Sequence, residues 1–151
     1  MIFVTVGTTE FDALIQAMDA LIPQLGGAVL MQIGHGTYEP RHGEFFRFAP
    51  SLRPYYERAD LVVAHGGFGT TMEVLHLGKR LVSVSNPDRY DRHQEDLLGV
   101  LDEAGHLLWC RELDDLGRAI AEARQRDFVP YEPPPCRIHQ VIADYLRSLE
   151  S

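Results

Sequence analysis

The stretch that decides the fold runs from residue 59 to residue 74 and reads ADLVVAHGGFGTTMEV. Residues 61–64 are apolar and β-rich, residues 65–69 hold three glycines, and residues 70–77 have helical spacing up to Gly78. This order predicts a buried strand, a glycine-rich turn and a helix. Glycines between a buried strand and a helix leave backbone amides facing outward, and Thr70 and Thr71 add hydroxyls. The turn is therefore predicted to bind phosphate without any net positive charge.

The sequence leaves two roles open for the Glu73 side chain. It complements the dipole of the helix or completes a capping box with Thr70, which is a purely structural role. Alternatively, its carboxylate accepts hydrogen bonds from two ribose hydroxyls, as acidic residues near nucleotide-binding turns often do.

The rest of the chain alternates in the same way. Strands are predicted at residues 2–6, 28–33, 44–48, 80–84 and 106–109, and helices at residues 10–22, 92–103 and 113–126. Ser51 is the predicted N-cap of a short helix that ends near Arg58. Alternating strands and helices with continuously apolar strands predict an α/β fold, a Rossmann-like doubly wound parallel sheet covered on both faces. Such sheets bind ligands at the carboxyl ends of their strands.

A second turn with suitable chemistry follows the first strand. Gly7 allows a close backbone approach, and Thr8 and Thr9 offer hydroxyls beside a helix N-terminus. The same three residues also make an ordinary capped turn, and they match neither a P-loop nor a G-x-G-x-x-G motif. We expect this turn to face a phosphate together with the turn at residues 65–69.

Composition narrows the class of protein. A chain of 151 residues with a formal charge of −8 fits one acidic globular domain and disfavours nucleic acid as a partner. No apolar stretch is long enough to cross a membrane, and the N-terminus is predicted to be a strand rather than a signal peptide. Cys110 and Cys136 are expected to be free thiols in a cytoplasmic protein, and the seven histidines fit no zinc spacing. We expect neither a metal nor a cofactor.

Residues 59–94 resemble the donor-binding region of the glycosyltransferase family 28 C-terminal domain. That family includes the MurG peptidoglycan transferase and small catalytic subunits that pair with a membrane-anchored partner. The resemblance covers residues 1 to about 105, and its matching pieces are Val4 to Thr9, Ala59 to Val63, His65 to Thr70, Glu73, Leu77 to Lys79, and Asp91 to Gln94. The chain departs from the family at Arg80, where proline is usual, and at Arg92, where the family has asparagine.

The resemblance implies the donor-binding half of a two-domain (GT-B) glycosyltransferase. Glu73 would hold the ribose of a UDP-sugar, and His65 would donate to a phosphate oxygen. His93 and Gln94 would reach the donor sugar or its phosphate, and Arg92 adds a cation nearby. The residues that would face the diphosphate are Gly7, Thr8, Thr9, Gly66, Gly67, Gly69, Thr70 and Thr71. His65 and His93 are the catalytic candidates, and the general base stays unassigned.

The resemblance also implies a partner. Residues 1–130 are predicted to form the nucleotide-sugar-binding domain, and residues 131–151 a proline spacer and helix that dock a partner or cap this domain's own sheet. The implied reaction transfers GlcNAc, or a related hexose or uronic acid, to a lipid-linked saccharide. A membrane-anchored acceptor-binding subunit would bring the chain to the cytoplasmic face of the membrane. Two alternatives stay open: a non-catalytic UDP-sugar-binding regulatory subunit, and a UDP-sugar epimerase or hydrolase.

Overall fold

The computed structural model describes residues 1–89 and 91–132. Six parallel strands form one sheet. They are β1 (Ile2–Thr5), β2 (Val29–Gln32), β3 (Glu44–Phe46), β4 (Leu61–Ala64), β5 (Arg80–Val84) and β6 (Leu108–Cys110). The helices between and after them are α1 (Asp12–Leu25), α2 (Arg53–Arg58), α3 (Phe68–His76), α4 (Arg92–Glu103) and α5 (Leu116–Gln125).

The strand order is β3-β2-β1-β4-β5-β6. The chain moves outward from β1 in one direction through β2 and β3, then returns to β4 and moves outward in the other direction. In register, Ile2 lies opposite Leu61 and Thr5 lies opposite Ala64. The connections leaving β1 and β4 therefore diverge, which opens a crevice at the carboxyl ends of these two strands.

Two apolar cores cover the two faces of the sheet, because successive strand side chains point to opposite faces. On one face, Val4 and Val63 pack with residues of α1 and α5, including Leu14 and Ile120. On the other face, Phe3 and its neighbours pack with residues of α2, α3 and α4, which include Tyr56, Val74 and Leu98. This doubly covered sheet confirms the predicted fold class.

Several boundaries differ from those predicted. Helix α1 continues through Pro23 to a left-handed Gly26, and α3 begins at Phe68 rather than at Thr70. A 3₁₀ turn at Leu113–Asp115 precedes α5. Ser51 does not occupy the N-cap position of α2, which is Leu52, although its hydroxyl accepts a hydrogen bond from the Arg53 amide. These shifts of one to three residues move no element to another place in the fold.

Arg80 has a structural role that explains its place at the start of β5. Its guanidinium donates to the carbonyls of Ala123, Arg124 and Arg126, so it caps the C-terminal end of α5. Arg80 lies at the amino end of its strand, which is the sheet edge opposite the crevice. Its departure from the family's proline is therefore a matter of helix capping.

Two further predictions concern cysteine and the C-terminal segment. Cys110 is a buried free thiol, and its burial raises the pKa of its sulfur. Within the described part of the chain, no helix combines the length and the apolar character that crossing a bilayer demands. Cys136 and the helix predicted after residue 135 lie outside the described residues.

Candidate functional site

An open cleft of about 540 Å³ lies at the carboxyl ends of β1 and β4. One side of it carries the turn after β1, and the other carries the turn and first residues of α3. The segment after β3 forms its outer wall. The lining residues are Gly7, Thr8, Gln32, Phe48, Ala49, Pro50, Ser51, Leu52, Tyr56, His65, Gly67, Gly69, Thr70 and Glu73. The structure thus brings together the two turns that the sequence singled out.

The N-terminus of α3 provides the donors of this cleft. Gly67 is the N-cap, and the first amide to find a helical partner is that of Thr71, which donates to the Gly67 carbonyl at 2.9 Å. Within the described residues, the amides of Phe68, Gly69 and Thr70 have no hydrogen-bond partner and no side chain caps the helix. Unpaired amides at a helix N-terminus, together with the helix dipole, favour an anion.

His65 fills the space between the two turns. A Cβ on Gly7 would stand 2.8 Å from its Nε2 atom, and a Cβ on Gly67 would collide with its Cε1 atom. Both positions therefore require glycine for the imidazole to fit between them. Burial, helped by the positive charge of Arg89, lowers the pKa of His65 to about 4. The ring is neutral at physiological pH, and among the described residues its buried Nε2 atom has no partner.

The turn after β1 is less available than the sequence suggested. The Gly7 amide already donates to the Thr5 hydroxyl oxygen at 3.1 Å and to Gln32 Oε1 at 3.0 Å. The Thr9 hydroxyl donates to the Val6 carbonyl at 2.6 Å, so it stabilises the turn and does not line the cleft. Gly7 therefore contributes room rather than a donor, and Thr8, which is exposed, is the residue of this turn that offers free polar groups.

Glu73 lies one turn into α3, on the cleft wall and exposed to solvent. Because α3 begins at Phe68 and has no side-chain cap, the capping-box role of Glu73 does not occur. Beside it, the buried Tyr56 hydroxyl faces the cleft near Thr70 and Thr5. Burial and the Glu73 charge raise the pKa of Tyr56 to about 12 against the opposing hydrogen bonds. The Glu73 carboxylate is thus free for a ligand.

Two of the residues predicted to face the diphosphate, Gly66 and Thr71, are buried. Gly66 adopts a left-handed φ of 82°, and a Cβ there would stand 3.1 Å from Leu98. Thr71 is fully buried, and its hydroxyl has no partner among the described residues. The prediction that Thr71 faces a diphosphate does not fit this placement, because α3 begins two residues earlier than predicted and turns this side chain toward the sheet. Gly66 sets the course of the turn.

The first turn of α4 contributes less than predicted. The Asp91 side chain accepts the amides of His93 and Gln94 at 2.9 and 3.3 Å, so neither amide is free for an anion. Arg92 and His93 are exposed and do not line the cleft. Gln94 is the residue of this group that lies next to the glycine-rich turn, with its Oε1 4.0 Å from the position of a Cβ on Gly66.

A second cleft of about 490 Å³ lies between the start of α1 and the loop after β5. It is lined by Glu10, Phe11, Asp12, Ala13, Thr37, Asn86, Asp88 and Arg89. Arg89 is close enough for its charge to lower the pKa of His65, and it was not singled out in the sequence. Acidic side chains and amides of this kind can hydrogen-bond hydroxyl groups.

Seven other lining residues were not predicted as site residues: Gln32, Phe48, Ala49, Pro50, Ser51, Leu52 and Tyr56. Gln32 had a visible signal, since it is the polar residue in the apolar run from residue 28 to residue 33. Phe48 lies in an irregular segment, and half of its side chain is exposed at the cleft wall. Tyr56 packs α2 against the sheet and also lines the cleft.

A parallel sheet of this order, with an anion-attracting helix terminus and a carboxylate at its switch point, defines a Rossmann-like domain with its candidate site at the carboxyl ends of the strands. The sequence profile described as the glycosyltransferase family 28 C-terminal domain matches residues 1–141. The chain belongs to this family.

The relatives agree with this assignment. The human UDP-N-acetylglucosamine transferase subunit ALG13 is 43% identical over 122 residues, which cover 72% of this chain and 11% of the human protein. The subunit of the same name from Yarrowia lipolytica is 29% identical over 140 residues, covering 83% of this chain and 71% of that protein. The chain thus spans about a tenth of the human relative and most of the yeast one.

Solved structures show the same fold. MurG of Acinetobacter baumannii superposes with a TM-score of 0.70 at 20% identity, over 97% of this chain and 49% of MurG. An NMR structure of ALG13 superposes with a TM-score of 0.63 at 19% identity, over 87% of this chain and 89% of that one. Nearly the whole chain thus corresponds to half of MurG, which confirms the predicted half of a GT-B fold.

Proposed function

We propose that this chain binds a UDP-sugar and acts as the donor-binding subunit of a UDP-sugar-dependent glycosyltransferase. The observation that carries the proposal is the free N-terminus of α3 at the cleft, with three unpaired amides at Phe68, Gly69 and Thr70. An acidic chain of charge −8 can hold a diphosphate only through such local donors. The relatives named as UDP-N-acetylglucosamine transferase subunits support uridine as the base and GlcNAc as the sugar.

The cleft suggests how the donor lies. The diphosphate rests on the α3 amides, and the neutral His65 donates its Nε2 hydrogen to a phosphate oxygen. The Glu73 carboxylate, one helical turn further along the wall, accepts the ribose hydroxyls. The base then extends toward the half-exposed ring of Phe48, on which it can stack. The sugar points the other way, to the second cleft near Arg89.

The proposed reaction is an inverting transfer. An acceptor hydroxyl attacks C1 of the donor sugar, the bond from C1 to the phosphate oxygen breaks, and UDP leaves. The negative charge that develops on the leaving diphosphate is stabilised by the α3 amides and by His65, as preorganised donors do elsewhere. The donor set consists of neutral groups, so we propose that no metal or other cofactor is needed. His93 stays a catalytic candidate, although its side chain stands outside the cleft lining.

A partner supplies what this chain does not. A GT-B site lies between two domains, and this chain corresponds to one of them. We therefore propose that an acceptor-binding subunit, anchored in a membrane, supplies the other wall, the general base and a lipid-linked saccharide. The word subunit in the relatives' names supports a partner. In this proposal the chain is cytoplasmic and is recruited to the membrane through that partner.

Calorimetry on the isolated chain tests the donor site. UDP and UDP-GlcNAc should bind, whereas GDP, TDP and UMP should bind at least about tenfold more weakly. GDP presents a different base, TDP lacks the ribose 2′-hydroxyl, and UMP lacks the second phosphate. Glu73→Gln should weaken UDP about tenfold but change 2′-deoxy-UDP much less, since the contact is to the ribose. Glu122→Gln, an exposed acidic side chain on α5, is the matched control. Tighter binding of a non-uridine nucleotide would refute the proposal.

Activity decides between the three classes of function. The chain with its partner should transfer labelled sugar from UDP-GlcNAc to a lipid-linked acceptor, and Glu73→Gln should reduce that transfer. Binding without transfer would identify a regulatory subunit instead. Release of free sugar, or an epimerised donor, in the absence of acceptor would identify a hydrolase or an epimerase.

A further inference from the structure

Gln32 is a fully satisfied polar side chain inside the sheet. It is 1% exposed, at the end of β2 and beneath the cleft. Its Oε1 accepts from the Thr5 hydroxyl at 2.5 Å, from the Val6 amide at 3.2 Å and from the Gly7 amide at 3.0 Å. Its Nε2 donates to the carbonyl oxygens of Gly7 at 2.8 Å and of Arg47 at 2.7 Å.

These five bonds join two segments that are far apart in sequence. Gly7 belongs to the turn after β1, and Arg47 immediately precedes Phe48 on the outer wall. The two hydrogen bonds from Nε2 fix the separation between the Gly7 and Arg47 carbonyl oxygens. A hydrophobic side chain of equal size would fill the same space and leave these polar groups without partners, which is costly in a buried place.

We propose that Gln32 is the positioning residue of the cleft, because its amide holds the Gly7–Thr8 turn and the Phe48 wall at the separation a nucleotide needs. This inference rests on the proposed function and deepens it. Gln32 touches no phosphate itself. It acts through the backbone of the two walls. The turn after β1, which is one of these walls, also packs Gly7 against the His65 ring.

Gln32→Glu is the sharpest perturbation, because it keeps the size of the side chain. One carboxylate oxygen still accepts from Thr5, Val6 and Gly7, but the other now faces two carbonyl oxygens that it repels. The walls should move apart, and UDP affinity near pH 8 should fall at least about tenfold, as expected for losing the bonds of a buried donor.

Protonation should reverse this effect. A buried carboxyl between carbonyl oxygens has a raised pKa, and its protonated form donates one hydrogen again. UDP affinity of Gln32→Glu, relative to wild type at the same pH, should therefore recover severalfold between about pH 8 and about pH 5.5. The other ionisable groups around the cleft, among the described residues, are His35 against the Phe48 ring, His65 after β4, Tyr56 from α2, Glu73 from α3, the Arg47 guanidinium after β3 and Arg89 after β5. They are present in both proteins, so the wild-type titration accounts for them and for the phosphate.

Asp19→Asn is the matched control. Asp19 is a buried carboxylate on α1 that accepts from the amides of Arg41 and His42 at about 3 Å and from the Tyr38 hydroxyl at 2.5 Å. It ties down a loop that contributes no residue to the nucleotide cleft. The swap between amide and carboxylate is the reverse of that at Gln32. It should lower stability while leaving UDP affinity within about twofold of wild type.

Amide NMR of the ligand-free proteins separates failure of this inference from failure of the proposed function. Gln32→Glu should shift the amide signals of both Gly7–Thr8 and Phe48, with the shift reversing at lower pH. If wild type binds no uridine nucleotide, the proposed function fails and these shifts alone decide the role of Gln32. A change confined to one wall, or UDP binding unaffected by Gln32→Glu, would overturn the inference.

Discussion

Gly69→Ala should separate the stability of the fold from the affinity for UDP. Gly69 is the second residue of α3, and a Cβ built there meets no atom within 4 Å. The helix itself therefore gives no reason for glycine at this position. Alanine is the better helix former by about 0.5–1 kcal/mol, so the variant should be as stable as wild type or slightly more stable.

Affinity should move in the opposite direction. A Cβ leans toward the N-terminus of its helix, so the new methyl would stand over the amides of the first turn. A phosphate displaced from one such amide loses a charged hydrogen bond of about 1.5–3 kcal/mol, which corresponds to roughly a 10- to 150-fold loss of affinity. The proposed diphosphate position would explain the glycine, because a bound phosphate needs the open space above it.

The assay pairs urea unfolding with calorimetric titration of UDP. Gly27→Ala is the matched control, since a Cβ there also meets no atom within 4 Å, and Gly27 precedes β2 at the opposite edge of the sheet. It should leave UDP affinity unchanged. Wild-type affinity in Gly69→Ala would show that the diphosphate does not lie at this helix terminus. A loss of stability by more than about 1 kcal/mol would show that the space above Gly69 is not open.

Three further predictions concern the stability of the fold, and each has its own physical cause. Gly7→Ala should lower the free energy of unfolding in urea by about 2–3 kcal/mol, because it combines a left-handed φ of 62° with a Cβ 2.8 Å from His65. Gly26→Ala has a φ of 66° and open space, so it should lose only about 1 kcal/mol. Equal losses would contradict the packing of His65 against Gly7. Burial lowers the pKa of His65 from 6.5 to about 4, so the unfolded chain binds more protons than the folded one between these pH values. The free energy of unfolding should therefore fall by about 2–3 kcal/mol as pH drops through this window. In pH-dependent unfolding, His65→Gln should abolish that part of the slope. Burial of Asp19 opposes its ionisation, but hydrogen bonds from Tyr38, Arg41 and His42 outweigh burial and lower the pKa of Asp19 to about 2. Its contribution of about 2 kcal/mol to the free energy of unfolding should be complete above pH 3.8 and lost as pH falls toward 2. The stability of Asp19→Asn should therefore depend less on pH in acid, and an unchanged dependence would contradict the role of Asp19 in holding this loop.

Local chain order was enough to predict the doubly wound sheet and the place of its functional turns. The alternation of short apolar runs with helical segments requires parallel strands with helices on both faces, and ligands bind such sheets where strands end. The stretch from Leu61 to Gly69 therefore indicated the site without any tertiary contact. The prediction that Gly69, Thr70 and Glu73 face a ligand rests on the same reasoning, because all three follow the strand at residues 61–64 within a few residues.

The availability of each group was decided by tertiary structure. Gly7 and Gly69 look alike in sequence, but Gly7 makes room for His65 and has its amide bonded to Gln32, whereas Gly69 borders open space. The bond from Gln32 crosses 25 residues of chain, and no local pattern predicts it. The burial of Thr71 likewise depends on where α3 begins and which face it turns to the sheet. Sequence thus determined which turns meet at the crevice, because strand direction and glycine content are local properties. Only packing determined which amides stay free for an anion, because a hydrogen bond between distant segments exists only once the sheet has assembled.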